Sequence, residues 1–287
     1  MGLRTYLSSS WALGVEGLEA VWEYNGLSLN DRSNMEQYRL TDIDGLADAD
    51  IRDSRAPITE AHGELAYNMY QGGRTITLSG RIRAGNVTML RQMQEELKEA
   101  FSSTVELPLY IRGLKADDVY INCRKSAPIA MREVQANQWV ERDFMLTLRA
   151  SNPRFLSASL STARITAVGG GTSISITNRG NFPAEPTFYL GRAVGGINAP
   201  VIRNTTLGLT ASISGSSTFA SSGKFYKIVG DAAQRIFRDD LSADKWSLWV
   251  AGNKMPVLNP GPNTIALSQA TVAGTVYLDV EWRDSWI

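Results

Sequence analysis

The sequence predicts a mainly β protein with an N-terminal α+β domain followed by a C-terminal β-sandwich of the jelly-roll kind. Three observations support this prediction. Apolar and polar residues alternate along much of the chain, one amphipathic helix interrupts the strands, and Ser and Gly become frequent in the second half. The 287 residues suffice for two domains, and 43% hydrophobic with 20% charged residues is a globular composition.

Strands dominate the first half. The segment RTITLSGRIR, residues 74–83, alternates apolar and polar side chains, as a half-buried strand requires. One face consists of Ile76, Leu78 and Ile82, and the other of Thr75, Thr77, Ser79, Arg81 and Arg83. The same alternation predicts strands in VELPLYIR, DDVYINCRK and WVERDFMLTLRA.

One segment of the first half is predicted to be helical, NVTMLRQMQEELKEAF. Asn86 can cap its first turn, because a short polar side chain accepts a hydrogen bond from a free backbone N–H there. An apolar stripe at three- and four-residue steps comprises Leu90, Met93, Leu97 and Phe101. We therefore expect this helix to lie on one sheet.

The character of the sequence changes at Asn152–Pro153, a turn signal after which no helical pattern follows. Many short strands separated by Gly, Pro, Asn and Ser indicate an all-β sandwich or jelly roll. The predicted strands are RITAV, TSISITN, PTFYLG, LTASIS, KFYKIV, KWSLWV, NTIALS and TVYLDVEWRD. We assign residues 1–152 to the first domain and 153–287 to the second.

The totals disfavour several classes of protein. The 29 basic and 29 acidic residues cancel, whereas a protein that wraps nucleic acid usually carries a basic excess. A single cysteine, Cys123, forms no intrachain disulfide and is expected in the core of a strand. We find no signal-peptide pattern and no apolar run of membrane-spanning length, which predicts a soluble, unanchored protein made inside the cell.

The stretch TDIDGLADADIRDSRAPITEAHGE, residues 41–64, first suggests chemistry. It holds seven acidic residues and His62, the one histidine of the chain. Counted from Asp42, however, the glycine comes at position four and an aspartate stands at position twelve, which does not fit an EF-hand. We therefore interpret the stretch as a polar loop with no bound metal.

Catalytic readings of His62 also fail. Its H-x-E pattern lacks the P-C-x-x-C half of the zinc deaminase signature, and no G-x-S-x-G elbow supports a serine triad. No carboxylate pair is singled out for glycoside chemistry, and the glycine runs do not lead into a phosphate-binding helix. We therefore expect no enzyme activity, no catalytic residue, no metal and no cofactor.

The aromatic residues of the second half allow an alternative function. Rings on a β-sandwich can stack on sugars, so a carbohydrate-binding protein that recognises host surface glycans stays open, with Trp249 and Trp286 as the candidate residues. Trp282 shares the apolar face of the last strand and is predicted to lie in the core.

Several segments, taken in order, resemble the distal tail proteins of long-tailed, non-contractile bacteriophages. The longest runs from YNGLSLNDRS through HGE and GGRTITLSGRI to the end of the helix. Shorter ones are LRASNPRFLS, GNFPAEPTFYL, NPGPNTI and the closing VEWRDSWI. Together they span nearly the whole chain.

This resemblance implies a structural protein of the distal end of the virion tail, made in the host cytoplasm. It implies a homohexameric ring of N-terminal domains, each with one helix and an extended hairpin, and an outer galectin-like sandwich. The implied partners are the tail tube protein, the tape measure and the tail-tip or tail-associated hub proteins. DNA passes through the ring lumen in transit, and no membrane contact is expected.

A closed ring repeats one contact between two different faces of each subunit, and mixed charges give such faces specificity. We therefore expect the polar stretch and the charged end of the following strand to contribute to the interface. The candidate residues are Asp42, Asp44, Asp48, Asp50, Arg52, Asp53, Arg55, His62, Glu64, Arg81 and Arg83. Titration of His62 is expected to adjust assembly at mildly acid pH.

Overall fold

The computed structural model describes residues 18–31, 37–47, 49–52, 55–57, 64–66, 70–113, 117–133, 140–168, 171–214, 216–217, 225–230, 236–239, 243–268 and 271–287. Of these, 55–57, 64–66, 168, 192–197, 216–217, 225 and 271–274 are described by their backbone alone. The chain divides into two compact units, Met1–Ala158 with Ile287, and Ser159–Trp286. The predicted mainly β architecture with one α-helix is confirmed over the described residues.

The first unit contains thirteen described strands and the helix α1, Val87–Ala100. The strands are β1 Val21–Tyr24, β2 Leu27–Leu29, β3 Gln37–Asp44, β4 Ile51–Arg52, β5 Arg55–Pro57, β6 Glu64–Ala66, β7 Tyr70–Gln71, β8 Arg74–Arg83, β9 Leu107–Arg112, β10 Val119–Lys125, β11 Ala130–Glu133, β12 Glu141–Ala150 and β13 Phe155–Ser157. They pair in the order β2-β1-β9-β10-β12-β8-β3, with β11 on β12 and β13 on β10.

Strand β8 occupies the centre of the β12-β8-β3 layer and is antiparallel to both neighbours. Ile76, Leu78 and Ile82 are fully buried, whereas the alternate side chains are half-buried or exposed, which confirms the predicted faces. The pairing of β3 with β8 shifts between Leu40 and Asp42, so Thr41 forms a bulge.

Helix α1 begins where it was predicted to begin. The Oδ1 atom of Asn86 accepts a hydrogen bond from the backbone N–H of Met89 at 2.8 Å. The predicted stripe is buried along its whole length: Leu90, Met93, Leu97 and Phe101. Phe101 then stacks on Tyr24 of β1 with ring centroids 4.4 Å apart, so the C-terminal end of the helix packs against strand β1.

The second unit is a sandwich of two antiparallel sheets. Its strands are β14 Ser161–Val168, β15 Thr172–Asn178, β16 Thr187–Asn198, β17 Val201–Asn204, β18 Leu209–Ser212, β19 Ser216–Ser217, β20 Phe225–Val229, β21 Ile236–Arg238, β22 Gly261–Ser268, β23 Thr271–Trp282 and β24 Ser285–Trp286. One sheet has the order β14-β23-β16-β20-β21 with β19 on β16, and the other has the order β15-β22-β17-β18. Their inner faces form one apolar core, which includes Trp282 as predicted.

Three asparagines lie fully buried beside this core, Asn178, Asn204 and Asn263. The Nδ2 atom of Asn204 donates to Oδ1 of Asn263 at 3.1 Å and to the carbonyl of Val257 at 2.7 Å. Asn263 in turn donates to the carbonyls of Asn259 and Gly261. These side chains donate hydrogen bonds to carbonyl groups of the loops. Buried polar groups need such partners, which explains why asparagine occupies these buried positions.

One predicted strand is wrong. KWSLWV was expected to be extended, but Trp246–Leu248 form a 3₁₀ turn, with the N–H of Trp249 donating to the carbonyl of Trp246 at 3.0 Å. In the turn the two indoles reach the same ring: the centroids of Trp246 and Trp249 lie 5.9 Å and 6.0 Å from that of Phe237. Aromatic packing therefore outweighs the apparent alternation.

The prediction that residues 41–64 form a loop is also corrected. The stretch begins in β3 and continues through β4 and β5 into a hairpin, whose return strands are β6 and β7. Ile51–Arg52 pair with Tyr70–Gln71, and Arg55–Pro57 pair with Glu64–Ala66. Cross-strand backbone hydrogen bonds order a sequence whose composition alone suggests a loop. The extended hairpin that the family resemblance implied is present.

Candidate assembly interface

The hairpin is connected to β3 by a tight turn that begins with Gly45. This residue has a φ of +85°, and a Cβ atom on it would lie 1.9 Å from the carbonyl oxygen of Thr75. The position therefore requires glycine both for its left-handed backbone and for the close approach of β8. The carboxylate of Asp44 accepts a hydrogen bond from the Gly45 N–H at 2.8 Å, so the aspartate supports the turn.

A buried arginine, Arg74, connects this turn to the segment that follows β12. Arg74 has no exposed surface, and its Nη1 atom donates to the carbonyls of Gly45 at 3.0 Å and Leu46 at 2.5 Å. Its Nε atom donates to the carbonyl of Pro153 at 3.0 Å, and the guanidinium lies 4.9 Å from the Phe155 ring centroid. One side chain thus ties the hairpin turn to the segment that leaves β12.

Backbone contacts fix the hairpin a second time at Asp50. Its N–H donates to the carbonyl of Gly73 at 3.1 Å, and its carbonyl accepts from the N–H of Gly72 at 2.5 Å. The Asp50 carboxylate also pairs with Nη1 of Arg149, which donates to the hydroxyl of Thr75 at 2.7 Å. We call this set of residues, Gly45–Leu46, Asp50 and Gly72–Thr75, the hairpin root.

Beyond the root, the first pairs of the hairpin carry two exposed apolar side chains. Ile51 is 68% exposed and Tyr70 is 62% exposed. Sequence reasoning missed both, because it followed charges and histidine. The available signal was an isolated isoleucine within a charged run and a tyrosine two residues before a glycine pair.

The predicted interface residues lie along one face of the β3-β8 pair and onto the hairpin. Asp42 and Asp44 are exposed opposite Ser79 and Thr77, while Asp50 and Arg52 are exposed at the start of the hairpin. Arg55 lies in β5 opposite Ala66, and Glu64 lies in β6 opposite Pro57; only the backbone of these residues is described. Asp48, Asp53 and His62 lie outside the described residues.

Arg81 and Arg83 lie at the opposite end of β8 from the hairpin root. Arg81 donates from Nε to Asp143 at 2.7 Å, and this hydrogen bond raises the pKa of the Arg81 guanidinium above its ordinary value. Glu141 lies within 3.5 Å of Arg81 and 3.8 Å of Arg83. The predicted interface residues Asp42 and Asp44 therefore lie nearer the hairpin root on the exposed face of the β3-β8 pair, and these two arginines lie towards its other end.

A cleft of about 510 Å³ opens at this arginine end. Its lining residues are Leu18, Glu19, Gln37, Arg39, Leu40, Thr41, Arg81, Arg83 and Glu141. Arg39 lies opposite Arg81 in the β3-β8 pair. With Arg83, the wall therefore carries three guanidinium groups, beside the carboxylates of Glu19 and Glu141. Ion pairs of Arg81 with Asp143 and Glu141, and of Arg83 with Glu141, offset most of this positive charge.

The two tryptophans of the alternative function differ in exposure. Trp286 is only 7% exposed, which corrects its assignment as a sugar-stacking residue, because its packing leaves too little ring surface for that contact. Trp249 is half-buried, with its ring centroid 5.6 Å from that of Trp246. Trp246, which sequence reasoning did not select, is 37% exposed.

Across the described part of the chain, no group of three or more His, Cys, Asp or Glu side chains is arranged to hold a metal ion. No helix among the described residues has the length and apolar character to span a membrane.

Comparison with solved structures identifies a shared fold. The Dit (gp 19.1) protein of SPP1, described as a hub of the adsorption apparatus in phages that infect Gram-positive hosts, is similar over 93% of this chain and 99% of its own, with 11% identity and a TM-score of 0.69. Chains of the phage P2 baseplate in its activated conformation, with Ca or with Sr, cover 91% of this chain and 97% of their own at 6% identity, with TM-scores of 0.48 and 0.46. No family model and no curated protein matches the sequence. The resemblance to distal tail proteins is thus confirmed in the fold, which this chain shares with the SPP1 protein across both units.

Proposed function

We propose that this chain is a structural protein of a phage tail tip, and that six copies form a ring through their N-terminal domains. The observation that carries the proposal is the fold shared with the SPP1 Dit protein along nearly the full length of both chains. The order of the sequence segments that resemble distal tail proteins also supports it, because these segments indicate the same family as the tertiary fold.

In the proposed assembly, residues 1–152 form the ring and residues 153–287 form an outer sandwich. The ring joins the tail tube to the tape measure and tail-tip hub proteins at the distal end of the virion tail, and DNA passes through its lumen. The protein acts as a connector and performs no catalysis.

The hairpin and the charged face support a ring contact between unlike surfaces. The exposed Asp42 and Asp44 give one region a negative character, and the exposed Arg39 gives another a positive character. A heterologous contact that closes on itself brings two such regions together at every subunit boundary.

Mass measurement of the purified full chain tests the ring. Native mass spectrometry and light scattering are expected to show a particle of six 31.4 kDa chains, visible as rings in electron micrographs. A chain that stays monomeric at tens of micromolar, alone and with a co-expressed tail tube protein, contradicts the proposal.

The carbohydrate-binding alternative is retained on one observation, the partly exposed pair Trp246 and Trp249. Glycan binding by the purified chain that disappears in Trp249→Ala favours this function. Glycan-array signals equal to background contradict it.

A further inference from the structure

The first two pairs of the hairpin expose one large apolar side chain on each face. Ile51 pairs with Gln71, and Arg52 pairs with Tyr70. Directly opposed residues of an antiparallel pair point to the same side, and successive residues point to opposite sides. Ile51 and Tyr70 therefore project from opposite faces of the ribbon formed by residues 51–52 and 70–71.

A single exposed apolar residue is ordinary on a protein surface. A ribbon with one exposed on each face is different, because a surface hairpin normally keeps its apolar side chains on the face that packs against its own domain. All four residues of this ribbon are exposed, so the described part of the chain covers neither face. A two-stranded ribbon of this kind has little intrinsic stability in water.

The hairpin root nevertheless holds the ribbon in a defined orientation. Arg74 bonds the Gly45–Leu46 turn, and the Asp50 backbone pairs with Gly72 and Gly73 on the return strand. Fixing an element before it binds lowers the entropy lost on association. The exposed ribbon is therefore preorganised for insertion.

The distribution of charge along the chain indicates which kind of partner surrounds the ribbon. The stretch Thr41–Glu64 holds seven acidic residues against two arginines, whereas the whole chain is neutral, so the rest of the chain carries the matching basic excess. Another copy of this chain is thus complementary in charge, whereas a polyanion such as nucleic acid is repelled.

We propose that Ile51 and Tyr70 are anchor residues that two different surfaces of neighbouring copies of this chain bury, one on each face of the ribbon. This inference rests on the proposed ring and adds to it the residues that supply the apolar contact. Buried aromatic and aliphatic anchors of this kind carry much of the affinity of protein interfaces.

The test compares self-association of the full chain with that of Ile51→Thr and Tyr70→Thr. Threonine retains strand propensity, and both positions are exposed, so folding is expected to persist, as circular dichroism will show. Each variant is expected to raise the dissociation constant of the assembly by about tenfold or more. Val105→Thr is the matched control, since Val105 is 63% exposed and lies between α1 and β9, outside the hairpin sequence, and it is expected to assemble like the wild type.

Cross-linking from a photo-reactive phenylalanine analogue at position 51 or 70 shows whether one face of the ribbon or both faces contact neighbouring chains. The expected result is cross-linking between chains, with the two positions reaching different peptides. The inference is overturned if the wild type forms rings and both threonine variants form them equally well, or if both positions label the same peptide. Wild-type chains that never assemble instead overturn the proposed ring itself, and this inference with it.

Discussion

The Nη1 atom of Arg74 lies 3.0 Å from the carbonyl oxygen of Gly45, although 29 positions separate the two residues. The same guanidinium reaches the carbonyl of Pro153. A buried charge is costly unless it is hydrogen-bonded, and these carbonyls accept hydrogen bonds from the Nη1 and Nε atoms. The contact orients the hairpin relative to the sheet from which it emerges.

Replacing Arg74 by Met is expected to destabilise the first unit by roughly 3 kcal/mol, because three partly buried carbonyl groups lose their charged donor. Hydrogen exchange of β8 peptides and urea unfolding measure this loss. Arg149→Met is the control: the Arg149 side chain is 40% exposed and its ion pair is solvated, so a change below about 1 kcal/mol is expected. Equal effects of the two substitutions contradict the assigned role of Arg74.

The turn at Gly45 yields a prediction with an internal control. Gly45→Ala must place a methyl group against the Thr75 carbonyl, whereas Gly26→Ala at a similar φ of +82° meets no atom within 4 Å. Gly26→Ala is expected to cost about 1 kcal/mol for its backbone conformation alone, and Gly45→Ala about 2–3 kcal/mol more. Urea unfolding of the two variants shows whether this difference exists.

The thiol of Cys123 is expected to be unreactive in the folded protein. It is fully buried in β10, and burial raises its pKa to about 12, with the nearby Glu106 carboxylate acting in the same direction. Thiolate is the reactive form, so a colorimetric thiol reagent at pH 8 should label the chain only after denaturation. Stoichiometric labelling without unfolding contradicts this placement.

Alkaline pH is expected to destabilise the first unit through Tyr24. Burial raises the pKa of its phenol to about 12, with smaller contributions from Cys123 and Glu106. The unfolded phenol ionises near pH 10, so the stabilisation is complete below that pH and is lost as pH rises through the folded value. Unfolding free energy measured between pH 9 and 12 should fall less steeply in Tyr24→Phe, which retains the stacked ring but cannot ionise.

In the second unit, Asn263→Ala is expected to cost about 3 kcal/mol. It removes the acceptor for Asn204 at 3.1 Å and the donor to the Asn259 carbonyl at 2.7 Å, both of them in buried or partly buried surroundings. Asn253→Ala provides the comparison, since Asn253 is half-buried and donates one bond to the Ser212 carbonyl. Thermal unfolding that ranks Asn253 above Asn263 contradicts the importance given to the buried pair.

The sequence indicates the segment that holds the candidate interface, but it identifies only some of the exposed residues within it. The exposed acids Asp42, Asp44 and Asp50 were selected because charge is visible in a sequence. Ile51 and Tyr70 were missed because an apolar residue is ordinarily assigned to the core, and exposure is a property of its neighbours in space. The clustering of Trp246 and Trp249 on Phe237 was missed for the same reason.

By itself, the sequence determined the mainly β class, the buried face of β8, the apolar stripe and cap of α1, and the core positions of Trp282 and Cys123. These features follow from periods of two or 3.6 residues, which local residues alone specify. Only the tertiary structure decided that the acidic stretch becomes a hairpin, that Arg74 joins Gly45 to Pro153, and that both faces of the ribbon stay exposed. These depend on contacts between residues far apart in the chain, and no local pattern specifies which distant segments will meet.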